Sequence, residues 1–329
     1  MSFIERLWYQ GHKAYWLLLP LAWLYGVITA LRRALFRLGI KQQVKVKAPV
    51  IVVGNISIGG TGKTPFTLLL CQTLRNQGWT PGIVSRGYGA NIKAPVLVQS
   101  DAAATEVGDE PLLLAQRSGC PVVVCPDRVA AAEYLLANTK VDIIVSDDGL
   151  QHYRLARDVE IILIDGSRGL GNGQLLPAGP LREGPWRLKQ ANLVVANSQP
   201  YALADGVMQL QAATAKALCS EATLTPGPVT LVAGIGNPQR FERTALAAGF
   251  TITARHYFAD HHKFTAADFT AIDGPVLMTE KDAVKCGPIA RPDWWWVDLE
   301  VSIGRAEAAA LLTSVLERTG LTGAGVSLG

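Results

Sequence analysis

The chain has 329 residues, of which 49% are hydrophobic and 18% are charged, and its formal net charge is +4. This composition excludes an intrinsically disordered chain, and the length favours two domains of ordinary size. The five cysteines include no C-x-x-C pair. They argue against a zinc site or a disulfide framework and favour a reducing compartment.

The first 47 residues form a basic and apolar arm. Eight Lys and Arg side chains and one acid give the arm a net charge of +7, so the other 282 residues carry −3. Eighteen uncharged residues separate Lys13 from Arg32. A helix of that length rises about 27 Å, against a hydrocarbon core of roughly 30 Å. We expect a membrane-associated helix in the interface, with a single span or a core helix of a soluble protein as the alternatives.

A proline favours the interfacial position over a span. Pro20 stands near the middle of the uncharged segment, where it would remove a helical hydrogen bond at a cost of about 3 kcal/mol. The segment continues into LRRALFRLGIKQQ without a small-residue cleavage site, unlike a signal peptide. The basic residues beside it favour contact with an anionic membrane surface on the cytoplasmic side.

Residues 48–200 alternate short apolar runs rich in β-branched residues with amphipathic stretches. This alternation is typical of βαβ units and a mostly parallel sheet, so we predict an α/β fold. Two of the helices are predicted at Pro65–Asn76 and Arg128–Asn138, with Asp127 as the N-cap of the second. The predicted strands are Val50–Val53, Gly82–Val84, Val122–Cys125, Val141–Ser146, Val159–Ile164 and Leu193–Ala196.

A glycine-rich loop follows the first predicted strand in the segment VIVVGNISIGGTGKTPFTLLL. Backbone N–H groups of such a loop, with a helix N-terminus behind them, form a cradle for phosphates. Lys63 is expected to reach the β- and γ-phosphates, and Thr64 to bind Mg²⁺. Ser57 stands where the strict G-x-x-x-x-G-K-[ST] pattern has its first glycine. The strand-loop-helix context still predicts a P-loop NTPase-like core, whose remaining cradle residues are Gly59, Gly60, Thr61 and Gly62.

Two adjacent carboxylates follow another predicted strand. Asp147 and Asp148 come just after the apolar run 141–145. P-loop enzymes hold their metal with an acidic side chain from a neighbouring strand, and ligands of open α/β sheets bind where the strands end. The pair therefore predicts a metal site, with an ordinary turn as the alternative.

A second, smaller α/β lobe is predicted at residues 229–329. The stretch before it, rich in Ala, Thr and Gln and closing with TPGP, predicts a linker over residues 201–228. Trp294, Trp295 and Trp296 are expected to alternate between core and surface on one strand. The lobe's predicted strands are 229–233, 251–257, 276–279 and 295–301, and its predicted helices are 238–248, 265–272 with a capping box at Thr265 and Asp268, and 305–318.

Several short motifs occur together in a particular order along the chain. They are GNISIGGTGKTP at 54–65, SRGYG at 85–89, VGDEP at 107–111, PDR at 126–128, SDDGLQH at 146–152, LLPAGPLRE at 175–183, GIGNP at 234–238, FADHHKF at 258–264 and MTEKDAVK at 278–285. With the apolar N-terminal helix, this series resembles the tetraacyldisaccharide 4′-kinases, the lipid A 4′-kinases of Gram-negative bacteria. The resemblance covers nearly the whole chain.

The resemblance implies a lipid kinase of the inner membrane, acting at its cytoplasmic face. Such an enzyme transfers the γ-phosphate of ATP, with Mg²⁺, to the 4′-hydroxyl of a tetraacylated glucosamine disaccharide 1-phosphate, and the product is lipid IVA. A monomer without a nucleic-acid partner is expected. A sugar hydroxyl is a poor nucleophile, so a carboxylate or imidazole should accept its proton. Asp109 matches the family's catalytic aspartate and His261 its partner histidine, although His262 is an open alternative and Asp109 could instead be an N-cap.

Further site residues follow from the same resemblance. Asp147 and Asp148 match the metal-associated pair, and Glu183 is expected to add to the metal shell. Arg128 and His152 match positions near the nucleotide or substrate phosphates. Tyr88 is a weaker candidate for contact with the disaccharide.

Two other functions compete with a lipid kinase. A membrane-associated P-loop GTPase or NTPase switch would use MTEKD to read guanine, but Lys281 is directly followed by Asp282, which is the wrong spacing. A nucleic-acid-binding protein would use the basic arm, but the apolar content of the arm and the −3 charge elsewhere disfavour it.

Overall fold

Residues 3–303, 305–318 and 320–321 are described by the computed structural model. Thirteen strands in this part of the chain form one continuous sheet. Its large half contains β1 (Val50–Gly54), β2 (Pro81–Ser85), β3 (Val96–Leu97), β4 (Val122–Val124), β5 (Ile143–Asp147), β6 (Val159–Asp165) and β7 (Leu193–Asn197).

The large half follows the order β7-β6-β1-β5-β2-β4-β3, and every pair except β3 with β4 is parallel. Its central strands are buried on both faces, which explains their continuous Val and Ile runs. The helices α3 (Lys63–Asn76) and α5 (Asp109–Ser118) cover one face, and α6 (Arg128–Asn138) covers the other. Asp127 caps α6 as predicted, since its side chain accepts from the backbone N–H of Val129. Parallel strands bring their carboxyl ends to one edge, where the site residues lie.

The predicted linker contains a strand, so this part of the prediction is corrected. β8 (Gly206–Ala217) pairs in parallel with β7 at its start and antiparallel with β13 (Trp294–Ile303) along the rest. Its Ala, Thr and Gln residues carry little strand signal, because the partners that stabilise β8 lie elsewhere in the sequence. β8 joins the two halves of the sheet, and the division into two domains stays a prediction.

The small half of the sheet begins at its edge with β11 (Thr251–Tyr257), followed by β10 (Pro228–Ala233) and β12 (Val276–Thr279), and then by β13 and β8. It also contains β9 (Thr223–Leu224), which pairs with β8. The segment 265–272 forms only a short 3₁₀ helix, Ala266–Phe269, although its capping box is present. The other helices are α4 (Ala104–Val107), α7 (Pro238–Ala247), α8 (Glu280–Cys286) and α9 (Arg305–Arg318).

The three adjacent tryptophans alternate between two covered faces, instead of between core and surface. Trp294 is 1% exposed and packs on Phe269, with ring centroids 4.0 Å apart. Trp295 is partly buried in the cluster on the opposite face, and Trp296 returns to the face of Trp294. The prediction missed this because helices and loops cover both faces here.

The N-terminal arm forms α1 (Phe3–Tyr9), a 3₁₀ helix (Lys13–Leu18) and α2 (Leu19–Arg37). Pro20 lies in the first turn of α2, where its missing N–H would have no helical partner, so the expected cost does not arise. One face of α2 contacts the protein, with the Tyr25 hydroxyl donating to the carbonyl of Arg182 at 3.2 Å. The other face exposes large apolar side chains: Leu21, Trp23, Leu24, Val27, Ile28 and Leu31.

The segment Lys13–Arg37 is long and apolar enough to cross a membrane, and only 6% of its most apolar window is buried. This exposure disfavours the core-helix alternative, because a core helix buries its apolar residues. The helix is a candidate for membrane association.

Candidate active site

The glycine-rich loop, Gly59–Gly62, lies between β1 and α3 and has the geometry of a phosphate cradle. Gly62 caps α3 with a left-handed φ of 89°, and a Cβ there would lie 2.5 Å from Asn197 Nδ2. A side chain at this position is therefore excluded both by backbone strain and by space. Asn197, at the end of β7, donates from Nδ2 to the carbonyl of Thr61 at 3.1 Å. The loop is thus held from β7, which lies two strands away from β1 in the sheet, and sequence reasoning missed this anchor.

Lys63 is positioned by polar groups at the carboxyl ends of β1 and β5. Its Nζ lies 3.4 Å from Asn55 Oδ1 and 3.7 Å from Asp148 Oδ1. Arg182 donates from Nη1 to both oxygens of Asp148 at 3.2 Å. Burial raises the pKa of Asp148, but the positive charges of Lys63 and Arg182 outweigh burial and leave that pKa below its ordinary value. Asp148 therefore stays ionised beside the loop, with a φ of 46° that only the surrounding contacts can hold.

Asp147 fits the predicted role of metal ligand. It is 1% exposed, and Ser85 Oγ donates to its Oδ2 at 3.4 Å. Its Oδ1 is buried and makes no hydrogen bond with the described residues. Burial and the negative charges of Glu110 and Asp148 raise the pKa of Asp147 to about 7. A cation bound at this position would favour the ionised form of the Asp147 carboxylate. The unpartnered Oδ1 is the kind of oxygen ligand that Mg²⁺ prefers.

The described residues contain no ready cage of three or more carboxylate, imidazole or thiol ligands. Proteins commonly hold Mg²⁺ with one or two carboxylates together with substrate phosphates, and the unpartnered oxygen of Asp147 fits such a site. Thr64 lies in the first turn of α3, and its role as a Mg²⁺ ligand stays a prediction.

Asp109 and His261, 152 residues apart in the chain, form a hydrogen-bonded pair. His261 Nδ1 lies 3.0 Å from Asp109 Oδ2 and 3.2 Å from Oδ1. Asp109 is 6% exposed and is the first residue of α5, whose N-cap is Gly108, so the N-cap alternative for Asp109 is wrong. His262 points elsewhere, with Nε2 3.3 Å from Asp268 Oδ2. The geometry favours His261 over His262 as the partner of Asp109.

Lys281, at the start of α8, contacts the Asp109–His261 pair. Sequence reasoning missed it as a site residue. Its Nζ lies 3.4 Å from His261 Nε2 and 3.0 Å from Glu110 Oε1. A lysine ammonium is only a donor, so we assign the acceptor to Nε2 and the proton to Nδ1 of His261, facing Asp109. The MTEKD motif thus contributes to this pair. Only the fold could show this, because the partners of Lys281 are distant in sequence.

Burial and neighbouring charges have opposing effects on the pKa values of His261 and Asp109. The hydrogen bond to Asp109 raises the pKa of His261, although burial and Lys281 oppose it. Burial raises the pKa of Asp109, but the hydrogen bond from His261 and the charge of Lys281 leave it below its ordinary value. Asp109 is therefore an ionised acceptor at neutral pH.

The pair lies next to the phosphate cradle. The loop 234–237 connects them, because a Cβ on Gly236 would lie 3.2 Å from Asp260 Oδ2 and 3.7 Å from both Gly59 Cα and Gly60 N. Asp260 directly precedes His261. The glycine-rich loop and the Asp109–His261 pair thus lie close together where the two halves of the sheet adjoin.

Comparison with known proteins identifies the family of this chain. A family model described as tetraacyldisaccharide-1-P 4′-kinase matches residues 14–317. The tetraacyldisaccharide 4′-kinase of Shewanella baltica strain OS185 is 47% identical over 326 residues, covering 96% of each chain. The chain belongs to the tetraacyldisaccharide 4′-kinase family.

Other relatives extend this result. The tetraacyldisaccharide 4′-kinase of Shewanella amazonensis is 46% identical over 95% of each chain. The crystal structure of LpxK from Aquifex aeolicus, determined in complex with ATP, superposes with a TM-score of 0.76 at 25% identity, covering 92% of this chain and 99% of that one. The predicted family, α/β fold class, kinase activity in lipid A biosynthesis, and use of ATP with Mg²⁺ are confirmed.

The remaining predicted residues of this kinase have different surroundings. Arg128, 1% exposed, donates to the carbonyls of Cys125 at 2.8 Å and Asp147 at 3.3 Å. His152 Nε2 lies 2.8 Å from the carbonyl of Pro126, and its Nδ1 is buried without a hydrogen bond to a described residue. Burial, with the charge of Arg128, lowers the pKa of His152. Their contact with the nucleotide stays a prediction.

Glu183 and Tyr88 also keep their predicted roles only as predictions. Glu183 Oε1 accepts from Gln151 Nε2 at 2.9 Å, and Oε2 accepts from the Tyr153 hydroxyl at 2.6 Å. Arg187 Nε lies 3.3 Å from the same Oε2. Both oxygens of Glu183 thus already have partners in the protein. Tyr88 is 60% exposed, and its ring lies 4.8 Å from that of His261.

The raised pKa of His261 predicts a pH-dependent contribution to the stability of the kinase. This contribution is fully present below the ordinary pKa of 6.5 and is lost as the pH rises through the higher folded value. The free energy of unfolding of the wild type should therefore exceed that of His261→Gln most at about pH 5.5, with a smaller gap at about pH 9. Urea titrations across this range measure the gap. Repeating them with Asp109→Asn present should abolish its pH dependence, and a gap that is equal at all pH values would contradict the assignment.

Proposed function

We propose that the chain transfers the γ-phosphate of ATP to the 4′-hydroxyl of a tetraacylated glucosamine disaccharide 1-phosphate, forming lipid IVA. The observation that carries this proposal is the Asp109–His261 pair beside the glycine-rich loop. A hydrolytic switch needs no buried carboxylate oriented to take a proton from an alcohol, whereas a kinase does.

In the proposed reaction, the loop Gly59–Gly62 and Lys63 bind the phosphates. Asp109 accepts the proton of the 4′-hydroxyl as the oxygen–phosphorus bond forms, while His261 holds the carboxylate in place. The bond between the γ-phosphorus and the bridging oxygen breaks, and ADP carries that oxygen away. Thr64, Asp147 and Asp148 would hold Mg²⁺, which neutralises phosphate charge when bound.

The test is a phosphotransfer assay with purified protein, γ-labelled ATP and the tetraacyl disaccharide 1-phosphate in mixed micelles. We expect the label in the lipid, and none with a disaccharide that already carries a 4′-phosphate. Label found only as inorganic phosphate, with GTP as effective as ATP, would contradict the proposal and favour the NTPase switch.

We also propose that the enzyme acts at the cytoplasmic face of the inner membrane, as a monomer. The support is the exposed apolar face of α2 together with the +7 charge of the arm. An acylated substrate stays in the bilayer, so the site must lie at its surface.

Charged residues on that face should weaken membrane contact. Trp23 is 81% exposed and Leu24 is 57% exposed, so replacing both with Glu should leave the fold intact. We expect less protein to co-sediment with anionic vesicles and the KM for lipid to rise about tenfold or more, because the burial of two large apolar side chains in lipid is lost. The KM for ATP should stay unchanged. Leu246→Glu, at an exposed apolar position on α7, is the control, and equal changes in both KM values would contradict membrane docking through α2.

A further inference from the structure

A second positive side chain faces the glycine-rich loop from the small half of the sheet. Arg240 lies in the first turn of α7, where its backbone N–H donates to the Oδ1 of the N-cap Asn237 at 3.2 Å. Its Nη2 lies 3.6 Å from the position that a Cβ on Gly60 would occupy. The guanidinium therefore lies at the outer turn of the phosphate cradle.

The guanidinium of Arg240 is not satisfied by the protein. Its Nη1 lies 3.6 Å from Asp165 Oδ2, beyond a normal hydrogen bond. Both atoms are buried without a hydrogen-bond partner among the described residues. The other oxygen of Asp165 is engaged, accepting from Ser167 Oγ at 2.6 Å and from the backbone N–H of Ser167 at 3.0 Å. The charge of Asp165 thus helps to hold Arg240 in place, but Asp165 does not accept a hydrogen bond from its Nη1.

The guanidinium of the neighbouring Arg168 already has partners on α1. Arg168 Nη1 lies 3.9 Å from the position of a Cβ on Gly59. However, its Nη2 donates to Glu5 at 3.2 Å, and its guanidinium lies 5.0 Å from the Tyr9 ring centroid. Arg168 thus joins α1 to the large half of the sheet, whereas Arg240 keeps a donor for another acceptor.

A buried guanidinium nitrogen with an unmade hydrogen bond, such as Nη1 of Arg240, costs free energy unless an acceptor binds it. Phosphate oxygens are strong acceptors for arginine, and an arginine at the terminal phosphate neutralises charge in many NTPases. We propose that Arg240 donates to the terminal phosphate of the nucleoside triphosphate in the loop and is a further catalytic residue of the kinase. This inference rests on the proposed function. It implies that Arg240 distinguishes ATP from ADP, because ADP lacks that phosphate.

Nucleotide affinity tests this role without any lipid. With Mg²⁺ present, Arg240→Gln should weaken binding of a non-hydrolysable ATP analogue about tenfold, by calorimetry, and change the Kd for ADP by less than about twofold. In the lipid assay, kcat should fall about 10³-fold. Arg243→Gln, at an exposed position on the same helix, should match the wild type in both assays.

Arg240→Gln leaves Asp165 without its cation, so the double variant Arg240→Gln with Asp165→Asn repeats the binding measurement with the charge balanced. Selective loss of ATP-analogue affinity in both proteins supports the inference. Equal weakening for ATP analogue and ADP, or unchanged affinity for both, overturns it. If the lipid received no label but the selective loss persisted, the proposed acceptor would be wrong and the contact of Arg240 with the phosphate would stand.

Discussion

Replacing Asp109 with Asn should lower kcat for lipid phosphorylation by about 10²–10⁴-fold, the usual contribution of a positioned general base. Asparagine keeps the size of the side chain but cannot accept the hydroxyl proton. The pKa of Asp109 lies below its ordinary value, so in the wild type the base is ionised throughout the neutral range. The Kd for ATP should change little, because the contacts of Asp109 in the described part of the chain are with His261, Lys281 and Glu110 and not with the glycine-rich loop. Initial rates at saturating ATP, with calorimetric ATP binding, measure both quantities.

The matched control is Asp101→Asn, since Asp101 is an exposed carboxylate in the segment before α4. It should retain wild-type kcat. A variant Asp109→Asn with undiminished kcat would exclude Asp109 as the base. Loss of ATP affinity in proportion to kcat would instead indicate that the substitution disturbs the cradle through Lys281 and Glu110, which contact the same pair.

Replacing Lys63 with Ala should lower kcat by a comparable factor, and unlike Asp109→Asn it should also weaken ATP binding. Lys63 is the positive side chain at the N-terminus of α3, and among the described residues Asn55 and Asp148 hold it in place, through contacts longer than 3.3 Å. Loss of one fixed charge at a reacting group costs about 10²–10³-fold in kcat. ATP affinity should also fall, because the same charge binds the ground-state phosphates. Radiometric kinetics and ATP titration of the variant check both effects.

The fold should survive the loss of Lys63, because Arg182 still pairs with Asp148. Lys93→Ala, at an exposed position between β2 and β3, is the control for a lost lysine charge. Unchanged kcat in Lys63→Ala would be incompatible with a P-loop role. Equal losses in both lysine variants would indicate a general electrostatic effect of net charge.

Both halves of the sheet contribute residues to the candidate active site. The large half supplies the glycine-rich loop, the proposed metal-binding carboxylates and Asp109, and the small half supplies His261, Lys281 and Arg240. Lys281 bonds to Glu110 on α5, and Arg117 on α5 bonds to Glu280 on α8. These contacts join α5 to α8 and so help to hold His261, on the small half, against Asp109, on the large half.

Local signals in the sequence determined much of this protein. The strand at Thr251–Tyr257 and the helix at Arg128–Asn138 have the predicted bounds, and Asp127 caps that helix as expected. The glycine-rich loop was also predictable, because its strand, its glycines and its lysine are contiguous. Hydrophobic periodicity, caps and turns depend on neighbouring residues, so they can be recognised without knowing the fold.

Tertiary structure decided what depends on distant partners. Strand β8 was hidden in a predicted linker because β7 and β13 supply its hydrogen bonds. The choice of His261 over its neighbour, the contact of Lys281 with that histidine, and the approach of Arg240 to Gly60 all join residues far apart in the chain. Such contacts have no local periodicity, because their energy arises only when packing brings the groups within a few ångströms. The sequence by itself determined most strands of the large half of the sheet and the glycine-rich loop, and packing between the two halves of the sheet decided which side chains surround that loop.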